Sequence, residues 1–85
     1  MQFEHLGAQP RIHPDAVVAA TAVISGDVTI GAKTWICDGA VILAGTVLAQ
    51  SSIVAANSVV RLKEARPALI GGVPARVIRY LDGAE

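Results

Sequence analysis

Cysteine, histidine, aromatic side chains and long apolar runs are all scarce in these 85 residues. The single cysteine, Cys37, excludes an internal disulfide and cannot by itself build a thiolate metal site, and such sparing use fits a reducing, cytoplasmic setting. Aromatics make up 4% of the chain, and seven Lys and Arg balance seven Asp and Glu. No excess of one charge is available to hold the chain unfolded, and 53% of the residues are hydrophobic, so disorder is excluded. The longest apolar runs, Ala16-Val17-Val18-Ala19-Ala20 and Ala40-Val41-Ile42-Leu43-Ala44, fall far short of the roughly 20 residues of a spanning helix, so no membrane segment is expected. Met1-Gln2-Phe3-Glu4-His5 has no basic start followed by an apolar stretch, so no signal peptide is expected either. A single domain this small buries only about 60% of its unfolded surface and usually needs disulfides, metal or partners. With disulfides excluded, metal or oligomerisation is left.

What the chain does have is a repeat. An aliphatic residue recurs every six positions without interruption, at Ile12, Val18, Ile24, Ile30, Ile36, Ile42, Leu48, Val54 and Val60. Counting each of these as the first position, the fifth holds Ala16, Ala22, Val28, Thr34, Ala40, Thr46, Ser52 and Ser58, all small or Val. The fourth is rich in turn formers: Asp15, Asp27, Gly39, Gly45, Ser51 and Asn57. A helix would repeat its apolar positions at three and four, and one strand would alternate at two. A short strand followed by a tight bend fits six. Three such units close a triangular coil of eighteen residues with the first and fifth positions inward, and the coils stack about 4.8 Å apart as a parallel β-helix about three rungs tall.

The elements Ile12-His13-Pro14-Asp15-Ala16-Val17, Gly26-Asp27-Val28-Thr29-Ile30-Gly31 and Trp35-Ile36-Cys37-Asp38-Gly39-Ala40-Val41-Ile42 resemble those of the hexapeptide-repeat proteins. The ending Ile70-Gly71-Gly72-Val73-Pro74-Ala75-Arg76-Val77-Ile78-Arg79-Tyr80-Leu81 is similar to the close of that family's acetyltransferases and of the γ-class carbonic anhydrases. The resemblance covers residues 12 to 81 and implies a left-handed coil, against the usual right-handed crossover preference. The sequence departs from the pattern in one respect. At the second position, where the family commonly has glycine, only Gly31 remains, with Ser25, Cys37, Leu43, Ala49 and Ala55 elsewhere. The expected fold is all-β, a short left-handed parallel β-helix over residues 12–60. An N-terminal cap at 1–11 precedes it, and a loop with a short helix starting at Pro74 follows at 61–85.

The sixth positions should point outward, yet they read Val17, Val23, Thr29, Trp35, Val41, Val47, Ile53 and Val59. Eighteen-residue stacking groups Val17, Trp35 and Ile53 in one stripe and Val23, Val41 and Val59 in the next. Burying each of these side chains is worth roughly 1.5 to 3 kcal/mol, so a homo-oligomer is expected, and the resemblance implies a homotrimer.

Candidate chemistry is thin. Between Arg61 and Arg79 lie five cations (Arg61, Lys63, Arg66, Arg76 and Arg79) and one acid, Glu64. In the acetyltransferases that the chain resembles, this ending lines a coenzyme A groove between subunits, which marks Arg61, Lys63, Arg76 and Arg79 for the phosphates. Arg76 matches the motif residue by residue, and Ala49, Ala55 and Ala56 leave room for a pantetheine arm. Tyr80 is the only aromatic in the patch, so nucleic acid is not expected. Acyl transfer needs a base, and only His5 and His13 exist. His13 is the weak candidate. The functional Asp and the catalytic His of serine acetyltransferases correspond here to Arg11 and Gly26. A γ-carbonic anhydrase would need three histidine ligands, two of them five residues apart, and no such pair occurs, so no metal is expected. Cys37 reads as a small packing residue, and Asp27 and Asp38 as bend formers. Three readings follow: a minimal acyltransferase-like protein that takes acetyl-CoA as cosubstrate and transfers the acetyl group to a hydroxyl or amine of a small acceptor; a non-catalytic trimeric scaffold or ligand binder on the same coil; and, from the weaker resemblance, a γ-carbonic anhydrase-like metal protein.

Overall fold

The computed structural model describes the backbone of residues 2–4 and, in full, residues 10–81. The strands are β1 (Gln2–Glu4), β2 (Arg11–Ile12), β3 (Val17–Val18), β4 (Val23–Ser25), β5 (Thr29–Ile30), β6 (Trp35–Ile36), β7 (Val41–Ile42), β8 (Val47–Leu48), β9 (Ile53–Val54), β10 (Val59–Val60), β11 (Lys63–Glu64), β12 (Ala68–Gly72) and β13 (Ala75–Tyr80). They form three sheets, in the orders β1-β4-β7-β10, β11-β8-β5-β2 and β13-β12-β9-β6-β3. Every pairing is parallel except β12 with β13. Strands eighteen residues apart lie side by side, as Val17, Trp35 and Ile53 do. This is a three-sided β-solenoid of about three turns, the architecture that a period of six predicts.

The inward positions are the predicted ones. From Ile24 to Val60 the first-position side chains are all buried, and so are the fifth-position ones from Ala22 to Ser58. The fifth position changes from Ala and Val to Thr and Ser toward the C-terminal end, and these hydroxyls are satisfied. Thr34 donates to the Ala49 carbonyl at 3.1 Å, and Thr46 to those of Leu43 at 2.8 Å and Val60 at 3.2 Å. Ser52 and Ser58 accept from the N–H groups of Ala68 and Gly72, at 3.3 and 3.2 Å. The two serines thereby dock β12 onto the last full coil. Lining this end with alanine would leave both N–H groups without these acceptors, at a cost of about 1–3 kcal/mol each where they are buried.

Bends occupy the fourth position, where Lys33, Gly39, Gly45, Ser51 and Asn57 adopt positive φ; at the bend containing Asp27, the preceding Gly26 does so instead. Gly31 is kept for another reason. A Cβ there would lie 2.5 Å from the backbone N of Gln50, a closer approach than any side-chain carbon tolerates.

Two segments differ from the sequence reading. Residues 61–67 contain β11, which extends the second sheet beside β8, in what reads as a loop. The short C-terminal helix is absent: residues 75–80 form β13, antiparallel to β12, with a bulge between Leu69 and Ile70. Proline at a first helical turn is a local preference only. Here β9 offers an open sheet edge that Leu69 and Ile70 occupy, Gly72 turns at φ 103°, and the β-branched pair Val77-Ile78 suits the returning strand. Tyr80 closes the hairpin, its hydroxyl donating to Glu64 Oε1 at 3.1 Å while Arg66 lies 3.8 Å over its ring.

Candidate functional site

The coil sets each outward residue on one of three faces. Arg61 follows β10 at the bend into the second sheet, Lys63 lies on β11 at that sheet's edge, and Arg76 and Arg79 lie on β13 at the edge of the third. All four are exposed, and none forms an ion pair among the described residues. They share the C-terminal end of the column but are spread around its perimeter over more than one face. Arg66, the fifth cation of the stretch, is committed to Tyr80.

His13 lies at the other end. It follows β2, the opposite edge of the sheet that β11 closes, so three strand spacings, roughly 14 Å, separate its rung from that of Lys63. The Asp15 N–H donates to His13 Nδ1 at 3.0 Å, inside a turn in which the Ala16 N–H donates to the His13 carbonyl. With Nδ1 accepting, the neutral ring carries its proton on Nε2. This tautomer offers a hydrogen-bond donor to a ligand, whereas a general base would need the Nε2 lone pair. His5 lies outside the described residues.

Among the described residues no group of three or more His, Cys, Asp and Glu gathers into a metal site. Cys37 is half-buried in the ladder, its N–H donating to the Val54 carbonyl and its own carbonyl accepting from Ala40. Asp27 and Asp38 act at separate bends: the Asp27 carbonyl accepts from Gly45, and Asp38 Oδ1 accepts from the Thr21 hydroxyl at 3.2 Å. Neither arrangement is a catalytic carboxylate pair.

The outward apolar residues are less evenly exposed than the sequence suggests. Val17, Trp35 and Ile53 are 50%, 57% and 38% exposed, whereas Val23, Val41 and Val59 are half-buried. Of the two stripes the first is the more exposed, and Val73 and Ile78 of the C-terminal hairpin are more exposed still, at 68% and 60%. The remaining face bears Arg11, Thr29, Val47 and Lys63 in register, the most polar of the three outward rows. The sequence places Thr29 among the outward sixth positions and Arg11 where serine acetyltransferases carry an Asp, without making either a candidate site residue.

No family model matches the chain. It is 35% identical over 72 residues to a protein of Escherichia coli (strain K12) described as "Putative lipopolysaccharide biosynthesis O-acetyl transferase WbbJ". The match takes in 85% of this chain and 35% of that protein, so the chain spans about a third of its relative's length.

Proposed function

The chain belongs to the hexapeptide-repeat β-solenoid proteins, and from that premise we propose that it is an acyltransferase-type module, binding acyl-coenzyme A at the C-terminal end of its column and assembling as a homotrimer. The likeness to an O-acetyl transferase, which runs through 85% of the chain, carries this reading. The chemistry of the last rung supports it. Four exposed cations without ion-pair partners suit the phosphates of a coenzyme, and the guanidinium of Arg76 can grip one with two hydrogen bonds. The stripe Val17–Trp35–Ile53 supports assembly, since a soluble protein gains by covering it.

The reaction is transfer of an acetyl group from the thioester to a hydroxyl or amine: a bond forms between the acceptor and the acyl carbon, the carbon–sulfur bond breaks to release the coenzyme A thiolate, and a base passes the acceptor proton to that sulfur. His13 in its present tautomer is a donor, so the base is not assigned to it. That same observation favours the second reading, a trimeric ligand binder on this coil without the chemistry.

Titration calorimetry with acetyl-CoA tests the proposal. Saturable heat is expected, and Arg76→Ala should weaken binding by about tenfold or more, the worth of a hydrogen bond to a charged group. No heat at millimolar ligand would remove the coenzyme reading, and unchanged affinity in the variant would move the site away from Arg76.

A further inference from the structure

The end of the column that carries the four cations also carries the two most exposed large apolar side chains among the described residues, Val73 and Ile78. One strand closes each sheet there: β10 in the first, β11 in the second and β13 in the third. β10 leads into Arg61, β11 bears Lys63, and β13 bears Arg76, Ile78 and Arg79, with Val73 in the turn before it. Residues 61–81 hold five cations and one acid, Glu64, which accepts from the Tyr80 hydroxyl, whereas residues 10–60 hold two cations and three acids. Asp82 and Glu85, outside the described residues, leave the stretch from residue 61 onward basic, at five cations against three acids.

The bulge in β13 shapes this end. Residues three apart on a regular strand face opposite sides, yet Arg76 pairs with Gly71 and Arg79 with Leu69, and Gly71 and Leu69 lie two apart. The extra residue, Ile78, thus brings both arginines to one side of the hairpin, while Val77 and Tyr80 pack against the core from the other. Val77, Ile78, Arg79 and Tyr80 together line a depression of about 550 Å³. Its lining comes from both sides of one strand whose other edge is paired with β12, so the depression lies along the free edge and opens at the end of the column.

Charges spread around a rim converge poorly on one small ligand but suit an extended anionic plane. β13 stands farthest out, and β11 and β10 lie one to two strand spacings below it, roughly 5–10 Å. Long basic side chains span most of that step, and about 5–10 Å is the depth to which peripheral elements enter a headgroup layer. An anionic bilayer attracts each such cation, and at headgroup depth water still reaches the free backbone edge of β13.

We propose that the C-terminal end of the column docks peripherally on an anionic lipid surface, with Val73 and Ile78 entering the headgroup layer and Arg61, Lys63, Arg76 and Arg79 meeting lipid phosphates. The contact is at the surface: no helix among the described residues is long and apolar enough to cross a membrane. The proposal does not rest on the coenzyme reading, in which Val73 and Ile78 have no part.

The test is flotation of the full chain with vesicles of phosphatidylcholine and phosphatidylglycerol in equal parts, against vesicles of phosphatidylcholine alone. Binding to the mixed vesicles is expected, weakened by salt and about tenfold or more poorer on phosphatidylcholine. Lys63→Gln should weaken it about fivefold, the worth of one cation near an anionic surface, while Arg11→Gln, at the far end of the column, should leave it unchanged. Val73→Ser combined with Ile78→Ser should weaken it about tenfold or more and leave the heat of acetyl-CoA binding intact. Equal retention on both vesicles, or an Arg11→Gln loss as large as that of Lys63→Gln, would overturn the proposal. So would a doubly substituted chain that matches the parent in circular dichroism and still binds as the parent does. Capture by soluble polyglutamate as tight as by the mixed vesicles would also overturn it, marking an acidic polypeptide as the partner instead. Absence of coenzyme heat in the parent, with vesicle binding retained, removes the coenzyme reading and supports this one.

Discussion

Replacing Gly31 by alanine is a stringent probe of how closely the rungs approach. The new Cβ would lie 2.5 Å from Gln50 N, 2.9 Å from Gln50 Cα and 3.0 Å from the Ala49 carbonyl carbon. The first of these falls 0.9 Å below the 3.4 Å at which ordinary contact begins. All three atoms are backbone in the next rung, so no rotamer change relieves them and the ladder itself must open. Overpacking of this kind costs about 1–3 kcal/mol, and the rigidity of the ladder puts Gly31→Ala near 3 kcal/mol. A core of this size supplies only about 3–5 kcal/mol, so the variant should be close to unfolding. The matched comparison is Gly45→Ala, where no atom lies within 4 Å of the added carbon and only the positive φ of 91° opposes it. Its expected cost is smaller, about 1–2 kcal/mol. Urea unfolding followed by Trp35 fluorescence, at one fixed protomer concentration because assembly adds to stability, measures both. If Gly31→Ala loses no more than about 0.5 kcal/mol, or loses less than Gly45→Ala, the close stacking described here is wrong.

Other consequences are open to simpler measurements. Trp35→Glu sets a carboxylate in the middle of the exposed stripe and should shift sedimentation toward monomer, while a species unchanged from the parent would show that this stripe is not the contact. Tyr80→Phe removes the hydrogen bond to Glu64 but keeps the ring under Arg66, so unfolding should become easier by about 1 kcal/mol; a loss well above that would mean that the hydroxyl has a larger role. Ser58→Ala withdraws the acceptor of the Gly72 N–H and should cost about 0.5–1.5 kcal/mol, with faster amide exchange at Gly72; exchange no faster than in the parent would count against the docking of β12 through this serine.

The coil was legible because its code is periodic. Nine aliphatic residues in step fix which side chains point inward, and Ile24 to Val60 are buried as that register requires. Legibility stops where the period stops. The segment after Val60 is governed by what the finished column offers, an open β9 edge and inward hydroxyls at Ser52 and Ser58, none of which is local to Pro74. The helix read there followed a local rule against a long-range sheet. Candidate site residues fared similarly. Composition picks out Arg61, Lys63, Arg76 and Arg79 as a cluster, but only the topology distributes them over separate faces at one end. Likewise, that His13 has its Nδ1 occupied by Asp15 depends on a turn geometry that the letters His-Pro-Asp do not specify.

Under the proposed function, coenzyme A binds at the last rung of the column. Mapping acetyl-CoA onto the assigned amide spectrum of the intact chain tests it most directly. Shifts concentrated at Arg61, Lys63 and the hairpin carrying Arg76 and Arg79 are expected, with Arg11 and His13 quiet. Shifts centred on the Arg11–His13 end, or a spectrum indifferent to millimolar ligand, would contradict it.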